Sequence, residues 1–150
     1  MNVLNQMKLS FLSRSINESF ARSAVAAFVL PLDPTVAEIT DIKTAVSEAV
    51  TNCIVHGYRD SEGTVTIDAR ITDAGKVIIR IRDTGVGISD IKRAMEPLYT
   101  TSCDERAGLG FAVMQSFMDR VAVRSSPGKG TTVTLEKTIL RIPYDKRRSG

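Results

Sequence analysis

A chain of 150 residues, 43% hydrophobic and 25% charged, has the make-up of one ordinary globular domain with a real core, and leaves no room for a second. Its 20 basic residues outnumber its 17 acidic ones, but Arg141, Lys146, Arg147 and Arg148 stand against Asp145 alone in the last ten positions, so residues 1–140 balance at sixteen of each sign. A body that is neutral by count argues against direct nucleic-acid binding, which needs basic side chains clustered on the fold itself. The expectation is a folded domain over 1–140 and a basic, disordered tail over 141–150.

The longest apolar run near the N-terminus, Ala24–Leu32, is too short to span a bilayer and has no basic leader before it, so a cytoplasmic protein with no membrane partner is expected. Cys53 and Cys103 lack CxxC spacing and His56 is the lone histidine, which indicates neither disulfide nor zinc.

In chain order, Met7–Leu12 alternates apolar and polar residues and predicts a strand. Ser15 to about Leu30 has helical spacing, with Ile16, Phe20, Ala24 and Ala27 as its apolar stripe, ended by Pro31 and Pro34. A second helix is predicted from about Pro34 to His56, stopped by Gly57, with Ile39, Ile42, Ala45, Val46, Ala49, Val50 and Cys53 recurring at the 3.6-residue period. Thr64–Thr72 and Lys76–Arg82 alternate as strands around an Asp73-Ala-Gly75 turn. Residues 83–88 form a glycine-bearing loop, and 89–107 an irregular stretch. A helix over Gly108–Asp119 and a hairpin of Val121–Ser125 with Thr131–Lys137 complete the chain. Helices on one face of a mixed, mainly antiparallel sheet make an α+β two-layer sandwich.

Four constellations carry chemistry, and each also has a plain structural explanation. Glu48, Asn52 and His56 stand at i, i+4 and i+8 on one helical face. A carboxylate beside an amide oxygen suits Mg²⁺, and the carboxylate can instead accept a proton from an attacking hydroxyl; the same triplet also fits a polar stripe. Asp83-Thr-Gly-Val-Gly-Ile88 places a carboxylate at a strand end, able to accept from an exocyclic amine such as that of adenine, with Gly85 and Gly87 admitting a flat ligand; a simple turn reads the same way. Thr100-Thr101-Ser102 and Gly108-Leu109-Gly110 combine hydroxyls with a glycine-rich helix start that favours phosphate, and Arg106 offers a fork donor. The stretch 89–107 suits a lid that closes over phosphates. Gly128-Lys-Gly130-Thr131-Thr-Val133 alone is a hairpin turn.

The order of the four, helix, strand-to-loop, loop-to-helix and turn-to-strand, is more specific than any one of them. Over residues 35–137 it resembles the Bergerat-type (GHKL) ATPase and kinase superfamily of gyrase, a heat-shock chaperone, mismatch-repair ATPases and histidine kinases. That resemblance implies a pocket for ATP or ADP with Mg²⁺. It implies Asn52 as the Mg²⁺ ligand and Glu48 as general base, with Asp83 reading the adenine amine aided by Gly85, Gly87 and Thr131. Gly108, Leu109 and Gly110 would cradle phosphates, Thr100 and Thr101 would belong to the lid, and Arg106 would reach a phosphate from it. His56 would cap or orient the helix end.

Gyrase-like relatives need further domains, and a histidine kinase needs an upstream phosphoacceptor histidine, whereas His56 lies inside the nucleotide motif. Further stretches resemble the bacterial anti-sigma factors that are also serine kinases, nearest the sporulation anti-sigma F branch, with the anti-sigma B branch as the close alternative. These are Asn17-Glu-Ser-Phe-Ala-Arg22, Val25-Ala-Ala-Phe28, Leu32-Asp-Pro34, Ile42-Lys-Thr44, Ser47-Glu-Ala-Val-Thr-Asn52, His56-Gly-Tyr58, Glu96-Pro-Leu98, Gly110-Phe111, Phe117-Met-Asp119 and Ser125-Ser-Pro127. This resemblance implies a sigma factor partner, an anti-anti-sigma protein as serine substrate, a homodimer, and Arg22 at a partner interface. An ATP-gated clamp without kinase activity and an ATP-binding piece of a histidine kinase are the rival readings.

Overall fold

The computed structural model describes residues 2–88 and 105–139, with the backbone alone at 105–109. Its elements are β1 (Val3–Leu12), α1 (Asn17–Val29), α2 (Val36–Asn52), β2 (Thr64–Thr72), β3 (Lys76–Asp83), α3 (Glu105–Phe117), β4 (Arg120–Ser126) and β5 (Gly130–Thr138). The strands form one five-stranded sheet in the order β1-β2-β3-β5-β4. Among the described residues every pairing is antiparallel, where a mixed, mainly antiparallel sheet is expected from the sequence.

Period-two alternation decides which face is covered. Val65, Ile67, Ala69 and Ile71 of β2, Val77, Ile79 and Ile81 of β3, and Val133 and Leu135 of β5 are buried on one face. The helices lie over them, α2 between α1 and α3, contributing Ala21, Val25, Val29, Ile42, Val46, Ala49, Val50, Phe111 and Met114. Even-numbered strand positions point the other way, and most are polar, among them Lys8, Ser10, Thr66, Asp68, Arg80, Arg82, Thr132 and Thr134. No helix among the described residues is long and apolar enough to cross a membrane.

Several boundaries differ from expectation. β1 starts at Val3, not Met7, because it pairs along the whole of β2, from Val3 opposite Thr72 to Leu12 opposite Thr64; polar Asn5 and Gln6 are at home on an edge strand. In α1 the buried stripe is Ala21, Val25 and Val29, while Ile16 is 78% and Phe20 53% exposed. The larger side chains had suggested the stripe, but the helix packs close through small ones, and Phe20 instead meets the ring of Phe11 edge-on at 6.1 Å. α2 begins with a capping box: Thr35 Oγ1 accepts from the Glu38 N–H at 3.1 Å, and Glu38 Oε1 accepts from the Thr35 N–H at 2.9 Å.

α2 does not run on to His56 as a regular helix. After Asn52 the backbone widens into a π turn over Cys53–Gly57, closed by the Tyr58 N–H donating to the Cys53 carbonyl at 2.9 Å. Tyr58 then turns inward. Its hydroxyl donates to the Thr64 carbonyl at 2.6 Å, accepts the Thr84 N–H at 2.8 Å and lies 3.2 Å from Thr84 Oγ1. The ring fills a slot that exists because residue 63 is glycine: a Cβ there would stand 2.2 Å from it. One phenol thus ties the end of α2, the start of β2 and the loop after β3.

Tyr58→Phe strips the hydroxyl from part-buried Thr84 N–H and Thr64 C=O groups, and the expected loss is about 1–3 kcal/mol. Urea unfolding should show a lower midpoint with an unchanged slope; an unmoved midpoint would mean that this hydroxyl is not what fastens the loop.

Candidate active site

β3 carries one residue more than the periodicity suggested, and the addition matters. Asp83 continues the row Val77, Ile79, Ile81 and therefore points its carboxylate into the helix-covered face, where it is only 4% exposed. Burial pushes its pKa up. Hydrogen bonds from the Gly85 N–H (2.9 Å to Oδ1), the Cys53 thiol and the Thr131 N–H act in the opposite sense and hold the ionised form. Burial, and then the neighbouring Asp83 charge, drives the Cys53 thiol well above its usual range, so it stays protonated as a donor. A carboxylate has about four lone-pair sites, so three protein donors leave Asp83 able to accept from an amine-bearing ligand.

Glycine is required where α2 ends against this carboxylate. A Cβ on Gly57 would sit 2.9 Å from Asp83 Cγ, and one on Gly85 would sit 2.0 Å from the Gly57 carbonyl oxygen. That same carbonyl accepts the Val86 N–H at 2.9 Å. Gly87 has φ of 76°, and a Cβ there would strike the Ser126 carbonyl oxygen at 2.1 Å. Across this loop Ser125 Oγ accepts the Ile88 N–H at 2.7 Å and lies 2.9 Å from the Gly130 carbonyl and 2.7 Å from Thr131 Oγ1. Thr131 is the cross-strand partner of Asp83. The expected Asp83, Gly85, Gly87 and Thr131 therefore do meet.

One helical turn separates Glu48 from Asn52, and both aim at α3. A Cβ built on Gly110 would lie 3.2 Å from Glu48 Oε2, 3.3 Å from Asn52 Oδ1 and 3.4 Å from Asn52 Nδ2. Residue 110 thus leaves a hollow lined by a carboxylate and an amide. Asn52 Nδ2 is buried there with no hydrogen-bond partner, an arrangement costly enough to point to a ligand. Oxygens of this kind fit Mg²⁺. Among the described residues no group of three or more His, Cys, Asp or Glu could hold a metal, so such an ion would take part of its shell from phosphate and water.

α3 begins at Glu105, three residues ahead of the predicted Gly108. Gly110 consequently enters the site by its missing side chain, within the helix and not at its first turn. Arg106, Gly108 and Leu109 fall on the opening turns of α3, where the backbone alone is described. Thr100, Thr101, Cys103, most of the expected lid and the 141–150 tail lie outside the described residues. The π turn breaks the i+4 series, and His56 is half-buried in it beyond the Glu48–Asn52 pair.

Arg22 of α1 is half-buried and donates from Nη1 to Ser47 Oγ at 3.2 Å. With Thr40, Lys43, Thr44, Ser47 and Glu48 it lines a cavity of about 350 Å³. Glu48 therefore borders both this cavity and the hollow at Gly110. Tyr58, Cys53, Gly57 and Ser125 are structural members of the site that motif spacing did not single out. The sequence reads Gly57 as a helix stop, and the others reach the site through contacts with residues outside their own motifs.

Residues 14–137 match the histidine kinase-like ATPase domain family. The anti-sigma F factor of Thermoanaerobacter sp. (strain X514) is 59% identical over 140 residues, covering 93% of this chain and 97% of that protein. The anti-sigma F factor of Clostridium acetobutylicum is 55% identical over 139 residues, covering 92% and 96%. A solved histidine kinase domain, from the blue-light activated histidine kinase of Erythrobacter litoralis EL346, superposes with a TM-score of 0.53 at 17% identity; the match covers 81% of this chain but 60% of that one, and speaks for the fold alone. The domain type implies ATP binding, and the chain belongs to the anti-sigma F factor family, built on a histidine kinase-like ATPase domain.

Proposed function

We propose that this chain is an ATP-dependent protein serine kinase and the inhibitor of a sporulation sigma factor of the sigma F type, phosphorylating an anti-anti-sigma protein. The observation that carries the kinase reading is the position of Glu48 between two spaces: the Asn52–Gly110 hollow on one side and the Arg22-lined cavity on the other. A hydroxyl entering from the cavity side comes to the carboxylate that faces the hollow. The sigma factor, the antagonist and a homodimeric assembly are suggested by the anti-sigma F names of the relatives and by the family resemblance.

Asp83 accepts a hydrogen bond from the adenine amine, with Gly85 and Gly87 keeping the wall flat and Thr131 completing that corner. Gly108, Leu109 and Gly110 border the phosphates, and Thr100, Thr101 and Arg106 are further nucleotide contacts. Asn52 offers its amide oxygen to Mg²⁺, which when bound neutralises phosphate charge. Glu48 takes the proton of the partner's serine as that oxygen bonds to the γ-phosphorus and the bond to the ADP oxygen breaks. Arg22 meets the partner at the cavity mouth.

Incubation with Mg·ATP and an anti-anti-sigma protein, followed by phosphosite mapping, tests the whole reading: phosphoserine on the partner is expected, and phosphohistidine on this chain would overturn it. Glu48→Gln should slow phosphorylation by roughly 10²–10⁴-fold with ADP affinity nearly intact. An ATP-gated clamp without chemistry predicts no transfer even for the natural chain. Asn52→Ala should erase the difference in ADP affinity between Mg²⁺ and EDTA.

Asp83 gives a pH signature. Its carboxyl is neutral below the raised pKa and is then a weaker acceptor, so ADP affinity should fall as pH drops through that value. Stability moves the other way. A raised native pKa contributes stability that is fully present below the ordinary carboxylate range and is lost as pH rises through the raised value. The stability of Asp83→Asn relative to the natural protein should therefore increase from pH 4 to pH 7 in paired denaturation curves, and a pH-independent difference would remove Asp83 as the titrating group.

A further inference from the structure

The neutral charge count conceals a segregation that the strand register exposes. On the open face of the sheet, Thr66, Arg82, Thr132 and Arg124 form one cross-strand row, and Lys8, Asp68, Arg80 and Thr134 form the next. Rows two residues apart lie about 7 Å from one another and strands two apart about 10 Å. The short threonines form a floor and the long cations a rim, enclosing a cavity of about 270 Å³. Asp68, the one acidic residue lining it, lies 3.3 Å from Arg70. Among the described residues none of Lys8, Arg80, Arg82 and Arg124 has an ion-pair partner.

From this arrangement we infer a second binding site, for a small anion carrying several phosphoryl groups, on the open face of the sheet. Guanidinium forks at the rim and hydroxyls at the floor approach from different directions, which suits the tetrahedral oxygens of phosphate better than a flat carboxylate. The size of the cavity fits a small ligand. No Phe, Tyr or Trp stands among its lining residues, so a nucleobase would find nothing to stack on. A long polyanion crossing the sheet would meet Glu136 in addition to the Asp68 that already lines the cavity. A second copy docking by the same face would set like charges together, and the 141–150 tail is basic as well. The site is independent of the nucleotide reading: Arg82 and Asp83 are consecutive on β3 and point to opposite faces.

The test is an amide-resolved NMR titration with sodium tripolyphosphate, in EDTA with excess ADP present. Saturable shifts are expected at Thr66, Arg82, Thr132 and Thr134. The double variant Arg82→Gln/Arg124→Gln should lose about tenfold or more in affinity while keeping its ADP affinity. The charge-matched pair Arg14→Gln/Arg59→Gln, on loops outside the strands, should change affinity by less than about twofold. Absence of saturable shifts, equal loss in both double variants, or tighter binding of a twelve-residue oligothymidylate or oligoglutamate than of tripolyphosphate would each overturn the proposal.

Discussion

A carboxylate at the end of an apolar row is the group this fold has most difficulty accommodating. Asp83 continues Val77, Ile79 and Ile81 into the covered face, and an ionised group placed there without partners would simply take up a proton. Its environment answers this on every side. The Gly85 amide, the Thr131 amide and the Cys53 thiol donate to it, and Gly57 withholds a side chain so that the end of α2 can close on it. The desolvation that remains lifts the pKa, and it also makes the carboxylate eager for one more donor. A buried acceptor whose partners are fixed in advance gains more from that last hydrogen bond than an exposed one, because little water must be displaced and little reorganises.

That closure constrains α2 as a whole. The helix must bring glycine to Asp83 and, one to two turns earlier, bring Asn52 and Glu48 to Gly110. A regular helix fixes the second requirement through i+4 spacing. The π turn at Cys53–Gly57 meets the first by adding width without shifting Glu48 or Asn52. Tyr58 then holds the loop after β3 at the height where the Val86 N–H finds the Gly57 carbonyl. Three glycines at close approaches and one phenol thus set the distance between two polar clusters that share no residue.

Local pattern made the sheet legible: the β2 and β3 alternation placed every core residue of those strands correctly, and the α2 periodicity did so from Ile42 to Cys53. Polar motifs at strand and helix ends drew attention to Asp83, Gly85, Gly87 and Thr131, which the fold brings together, and to Asn52, which it sets beside Gly110. What stayed hidden depends on distant contacts. The pairing length of β1 is set by β2, the stripe of α1 by close packing against α2, and the roles of Tyr58, Cys53 and Ser125 by partners some 6 to 37 residues away. The start of α3 was misplaced because Gly108 and Gly110 look like a helix entrance, whereas Gly110 lies inside the helix and is there to spare space for Glu48 and Asn52.

The balance of charge shows the same limit from another direction. Counting residues along 1–140 returns neutrality, and neutrality spoke against a basic surface. Period-two geometry sorts the strands differently. The odd positions of β2, β3 and β5 are mostly apolar and carry two charges, Asp83 and Lys137, the latter paired with Asp41 of α2, whereas six charges fall on the even face. Acids on that face are paired, Asp68 with Arg70 and Glu136 with both Lys76 and Arg120, and the cations left over concentrate around Arg82. A sheet covered on one side is therefore an electrostatic separator: the covered face holds one costly carboxylate under close control, and the open face collects the uncompensated positive charge directly behind it.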